Sequence, residues 1–109
     1  MIYTEIKGTG SYVPKKVLTN DDLKQFVDTS DEWIASRTGI KRRHIVVDEL
    51  TVDLAYEASL KAIESSKINK EDIDLVIVAT VTPDNAFPGV SNLLQARLGL
   101  EKIMTFDIN

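Results

Sequence analysis

The run Asp74-Leu75-Val76-Ile77-Val78-Ala79-Thr80-Val81 is aliphatic almost without interruption. A strand of this composition, lacking polar alternation, is expected to lie in a parallel sheet with both faces covered. The residues after it fit a crossover to a second such strand. Pro83, Asp84 and Asn85 end the run in a loop, and Pro88 or Gly89 opens a helix. That helix is predicted to bury Val90, Leu93, Leu94, Ala96 and Leu98 to varying degrees, Gly99 stops it, and Ile103 to Ile108 supplies the next strand.

The preceding residues read in the same alternation. Thr51 caps a helix reaching to about Ser66, whose inward face is Leu54, Ala55, Ala58, Ala62 and Ile63. Its alanines, with Ser59, allow a sheet or another helix to approach closely. Ile2 to Lys7 alternates apolar and polar side chains as a half-buried strand does, until Gly8 and Gly10 break it. Thr19 or Asn20 caps a short helix through Phe26, and Arg43 to Val47 has the β-branched content of a short strand or extended loop. Helices alternating with buried strands indicate an α/β architecture with right-handed crossovers. No repeat, linker or low-complexity stretch divides the chain, so residues 1–109 are expected to form a single segment.

The motif richest in chemistry is Asp28-Thr29-Ser30-Asp31-Glu32-Trp33-Ile34-Ala35-Ser36-Arg37-Thr38-Gly39-Ile40. Thr29 and Glu32 have the spacing of a capping box, and Gly39 stands where a left-handed cap ends a helix. Within it the chain's only tryptophan and Arg37 are i, i+4 neighbours on one face. An indole beside a guanidinium suits a ligand with a flat ring and a phosphate, as in a nucleotide. The residues alone also allow a second reading, with Trp33 half-buried in a core and Arg37 a solvated surface charge. The same duality applies to Lys41, Arg42, Arg43 and His44, which either add positive potential near a phosphate or form a solvated run at an element boundary.

Composition removes several function classes. With 17 acidic against 13 basic side chains the net charge is −4, against the expectation for a general nucleic-acid binder. No apolar run has membrane-spanning length and the N-terminus lacks a secretory pattern, so a soluble cytoplasmic protein with no membrane partner is expected. The chain has no cysteine and one histidine, which leaves no thiolate nucleophile and little room for a zinc site or a local Ser-His-Asp triad. Gly8 and Gly10 lack the third glycine of a dinucleotide loop. Asp48, Glu49 and Asp53 sit at a loop and helix start, where acidic residues favour the helix dipole, and are not read as a metal cluster. No catalytic or metal-binding residue is assigned within the chain.

Taken together, Gly8-Thr9-Gly10-Ser11-Tyr12-Val13-Pro14, Thr19-Asn20, Asp28 to Ile40 and Arg43-His44-Ile45 resemble the opening of the β-ketoacyl-acyl-carrier-protein synthase III family. Leu75 to Thr80, Asn85-Ala86-Phe87-Pro88, Leu98-Gly99 and Phe106-Asp107-Ile108 continue the likeness across the whole chain. The resemblance implies the N-terminal part of a thiolase-like layered fold, αβαβα in the complete enzyme. It implies condensation of an acyl-CoA, typically acetyl-CoA, with a malonyl-carrier thioester to start fatty acid synthesis. The family works with a Cys-His-Asn set, and its cysteine is expected a few residues after Asn109, so the chain by itself is expected to be inactive. His44 does not match the catalytic histidine.

By the same resemblance Thr29, Trp33 and Arg37 line the mouth of the coenzyme A channel, with Trp33 on the adenine and Arg37 on nucleotide phosphate or the adenine edge. Phe87 lies where the family sends an aromatic ring across a dimer interface into the partner's acyl pocket, while core packing is its ordinary structural role. Coenzyme A enters as the substrate thioester and no separate cofactor is implied. An acyl carrier protein and a second copy of the chain are the implied partners. The alternatives are a related thiolase-fold acyltransferase, and a non-catalytic coenzyme A-binding or dimerisation module. An isolated piece of such a fold is expected to leave a sheet edge open and to self-associate.

Overall fold

The computed structural model describes residues 1–109, and their backbone contacts group them into two compact units. One unit is Val13–Glu49; the other joins Met1–Tyr12 to Leu50–Asn109.

In the smaller unit, strand β1 (Lys16–Thr19) pairs antiparallel with β2 (Arg42–Ile45), Lys16 facing Ile45 and Thr19 facing Arg42. Helix α1 (Asn20–Leu23) starts at the end of β1, and α2 (Asp31–Thr38) lies in the connection to β2. Thr19 caps α1 through a capping box with Asp22, and the hydroxyl of Thr19 accepts the Asp22 N–H at 3.2 Å. The helix is shorter than the expected run to Phe26, and the chain from Lys24 continues in turns. The only fully buried residue of this unit is a polar one, Asn20, at 1% exposure.

The larger unit has an apolar centre. Val52, Val90, Leu94, Leu98 and Leu100 are buried together, with Ala55, Tyr56, Ile63, Val76, Val78 and Ile103 packed around them. Val52 belongs to helix α3 (Thr51–Ser66), while Val90, Leu94 and Leu98 belong to α4 (Val90–Leu98). Strands β3 (Leu75–Ala79) and β4 (Met104–Ile108) pair in parallel, Leu75 beside Met104 and Ala79 beside Ile108, with α4 as the crossover. The parallel β-α-β unit is therefore as expected. Its burial is not: Val76 and Val78 face the core, but Leu75, Ile77 and Ala79 are exposed, Ile77 at 54%. Two strands with a helix packed on one side bury only every second residue. An aliphatic strand is covered on both faces only where a second layer is present.

Three further expectations change for physical reasons. Ile2 to Lys7 forms no strand, because no neighbouring strand runs beside it to complete a ladder. The alanine face of α3 is half-buried, and what approaches it is backbone: a Cβ on Gly8 or Gly10 would collide with main-chain atoms of Ala58, Ala62 and Ser66. Those glycines are thus needed for close packing on a helix as well as for ending a periodic run. Ala96 is exposed on α4, whereas Ser91, which hydropathy would place outside, is wholly buried.

Both long helices of this unit begin under carboxylates that come from far along the chain. Asp84 accepts the Thr51 and Val52 N–H groups at 2.6 and 2.9 Å. Asp107 of β4 accepts the Ser91 N–H at 2.9 Å and its hydroxyl at 2.6 Å. Each carboxylate satisfies donors that have no partner inside the helix and complements the positive end of its dipole. Thr51 is the first residue of α3 rather than its cap, which is Leu50, and the Thr51 hydroxyl donates to the Thr82 carbonyl at 3.1 Å. Gly99, at φ 67°, ends α4 as expected.

Candidate functional site

Helix α2 is specified at both ends by short-range chemistry. Ser30, in extended conformation, accepts the Trp33 N–H at 3.1 Å through its hydroxyl, while its carbonyl accepts the Ile34 N–H at 3.1 Å. Ser30 is thus the N-cap in place of Thr29, because the capping oxygen belongs to the residue whose carbonyl opens the helical ladder. Gly39 takes the left-handed conformation at φ 72° and donates to the Ala35 carbonyl at 2.8 Å, which closes the helix where the sequence indicated.

On this helix the Arg37 guanidinium carbon lies 4.4 Å from the centre of the Trp33 ring. Trp33 is 53% exposed and Arg37 is exposed, with no salt bridge to an acidic side chain. The structure therefore brings the two together as a stacked cation and indole open to solvent. Such a pair offers a π surface to a flat ring and unpaired N–H donors to an anion.

Thr29, released from capping, is half-buried, and its hydroxyl oxygen is enclosed without a hydrogen-bond partner. It lines an open concavity of about 520 Å³ with Lys24, Gln25, Phe26 and Asp28. An enclosed hydroxyl lacking a partner marks a place where a ligand or water would be favoured.

The basic run after α2 divides by role. Lys41 and Arg42 are exposed. Arg43 turns inward, donating to Asn20 Oδ1 at 2.6 Å and to the Leu18 carbonyl at 3.4 Å. His44 Nδ1 is 2.6 Å from the Pro14 carbonyl, so this nitrogen carries the proton and donates. Among acidic residues, the Val47 N–H bonded to Glu49 holds that carboxyl below its ordinary value. The Leu50 N–H, followed by Arg97, does the same for Asp53. These carboxylates are engaged in loop and helix-start hydrogen bonds, and no three metal-ligating side chains converge.

Phe87 is in the other unit. At 87% exposure it is not packed in a core, and it borders a concavity of about 420 Å³ with Thr80, Pro83, Asn85, Asn92 and Asp107. The residue that sequence reasoning missed is Asn20. Its amide nitrogen donates to Asp31 Oδ1 at 2.8 Å and to the Ile40 carbonyl at 2.7 Å, while its oxygen accepts from Arg43. Nothing in its local sequence distinguishes it from an ordinary cap residue.

The chain is similar to known proteins over nearly its whole length. The chain is 60% identical over 109 residues to the β-ketoacyl-[acyl-carrier-protein] synthase III of Xanthomonas campestris, covering 99% of the chain and 34% of the relative. Its backbone superposes on the crystal structure of 3-oxoacyl-[acyl-carrier-protein] synthase III from Aquifex aeolicus with a TM-score of 0.93 at 47% identity, covering 97% of this chain and 34% of that one. In sequence and backbone the chain is similar to the corresponding third of these synthases. The priming β-ketosynthase of the R1128 polyketide pathway also matches, with a TM-score of 0.88 at 33% identity over 94% of the chain. The chain spans about a third of the length of these relatives, and its α/β fold is part of their thiolase-like architecture. No family model matches the sequence. No helix is long and apolar enough to cross a membrane.

Proposed function

We propose that this chain is the coenzyme A-binding part of a β-ketoacyl-acyl-carrier-protein synthase III, an acyltransferase that condenses an acyl-CoA with a malonyl-carrier thioester. The carrying observation is the exposed Trp33–Arg37 stack on α2. In this reading Trp33 takes the adenine face, Arg37 takes nucleotide phosphate or the adenine edge, and Thr29, which lines the concavity before the helix, borders the same ligand. Coenzyme A arrives as the thioester substrate, with no further cofactor assigned. Phe87, exposed at 87%, is available to a second copy of the chain in a homodimer, where it would border the acyl pocket. An acyl carrier protein is the second substrate's carrier.

Having no cysteine, the chain itself offers no thiol on which an acyl group could be held by the family's chemistry. Incubation with acetyl-CoA should leave its intact mass unchanged, and a stable acetyl adduct requiring the folded state would overturn that expectation. The binding role is tested through the single tryptophan. Adenosine bisphosphate, the nucleotide end of coenzyme A, should change Trp33 fluorescence saturably. Arg37→Ala should weaken that binding by about tenfold or more, the size of a lost charge-assisted hydrogen bond. Equal affinity in the variant, or no saturable response in the unmodified chain, refutes the assignment.

A further inference from the structure

Helix α2 has eight residues and none of them is buried. Isolated helices shorter than about 12 residues are marginal in water, and in proteins most are held by an apolar face. Here Ile34 and Ala35 are only half-buried, so apolar packing does not hold this helix firmly. What reaches both of its ends is one amide. Asn20, at 1% exposure, donates to Asp31 at the first residue of α2 and to the carbonyl of Ile40, immediately past the Gly39 cap. Its remaining oxygen is engaged by Arg43 of β2. The Asn20 N–H also donates to the Lys41 carbonyl at 3.2 Å, which anchors the residue to the same turn.

We propose that Asn20 is a positioning residue for α2: its buried amide staples both ends of the helix to β2 and thereby sets how Trp33 and Arg37 meet a nucleotide. The nucleotide half of this statement rests on the binding role proposed above; the staple does not. The side chain uses both amide hydrogens and its carbonyl, so no other residue of similar size reproduces the set. Aspartate would lack the donors and confront Asp31. Alanine leaves three partners, the Asp31 carboxylate, the Ile40 carbonyl and the Arg43 guanidinium, without the bond that Asn20 makes to each. When only a fraction of molecules hold the binding geometry, apparent affinity falls by that fraction.

The test uses Asn20→Ala, Asp31→Ala and Asp31→Asn, the last of which keeps an oxygen to accept from Asn20. Two readouts are taken: affinity for adenosine bisphosphate through Trp33 fluorescence, and the upfield NMR shift that the Trp33 ring imposes on the Arg37 side-chain protons. Asn20→Ala should weaken nucleotide binding by about tenfold and collapse the ring-current shift, leaving amide resonances of α3 and α4 in place. Asp31→Ala should follow it, whereas Asp31→Asn should retain both properties. Wild-type shift and affinity in Asn20→Ala overturn the proposal. If the unmodified chain binds no nucleotide, the function reading fails and the ring-current arm alone decides the staple. If Asn20→Ala unfolds, the contrast between the two Asp31 variants decides it: a difference supports the staple and identical behaviour refutes it.

Discussion

The two units of this chain solve the same problem with opposite chemistry. Residues 50–109 with the N-terminal segment bury five aliphatic side chains around α4, whereas residues 13–49 bury no hydrophobic side chain fully and enclose Asn20 instead. An apolar core gains from every methylene removed from water and is indifferent to direction. A polar centre gains little net free energy but accepts only one arrangement, since each enclosed donor or acceptor left unpaired is costly. The candidate site lies on the unit built the second way, where orientation matters more than gross stability.

The sharpest way to break this contrast is to hollow out each unit. Leu94→Ala, at 4% exposure, should cost about 2–5 kcal/mol in urea denaturation. Ile34→Ala, only half-buried on α2, should cost well under half as much. Comparable losses would show that the smaller unit depends on apolar packing after all.

Asp107→Ala probes a polar feature inside the apolar unit. It strips partners from both the N–H and the hydroxyl of the fully buried Ser91, and should destabilise by about 1–3 kcal/mol. A neutral result by the same denaturation measurement would mean that water replaces the carboxylate at no cost.

Next in size is a pair of neighbouring hydroxyls with different duties. Ser30→Ala removes the α2 cap and should cost about 1 kcal/mol. Thr29→Val should cost nothing or stabilise slightly, because the oxygen it removes has no partner. It should nevertheless weaken adenosine bisphosphate binding if that oxygen meets the ligand. Loss of stability in Thr29→Val without loss of affinity would reverse the two roles.

The smallest effect is expected from acid, and it has the same sign in both units. Asp22 is held below its ordinary value by the Thr19 hydroxyl and N–H, and Asp53 by the Leu50 N–H followed by Arg97. A carboxyl lowered in the folded state binds its proton more readily when unfolded. Its contribution is therefore complete above the ordinary carboxylate value and lost as pH falls through the depressed one. Asp22→Asn and Asp53→Asn should each flatten the acid limb of stability against pH, slightly, since both groups are exposed to solvent screening. A limb unchanged in both variants would assign acid sensitivity elsewhere.

Much of the fold was legible because its signals are local. Gly39 and Gly99 end helices where their left-handed backbone demands, Thr19 caps α1, and the i, i+4 spacing alone places Trp33 against Arg37. The aliphatic run and the helix after it correctly indicated a parallel β-α-β unit. Errors arose wherever a partner distant in sequence decides the outcome. The segment Ile2 to Lys7 has strand periodicity without a neighbour, and the outer face of β3 is aliphatic without a covering layer. Ser30 displaced Thr29 as cap although only Thr29 has a glutamate three residues on, because the cap is the residue whose carbonyl opens the hydrogen-bond ladder.

By itself, then, the sequence determined helix ends, strand character and the stacked pair on α2, all governed by sterics and spacing within a few residues. Tertiary structure alone decided that Asp84 and Asp107 cap helices 33 and 16 residues away from them in the chain, that Phe87 is exposed, and that Asn20 is enclosed. An amide or carboxylate has the same composition on a surface as in a core. Only the partners that folding gathers around it turn it into a cap or a staple.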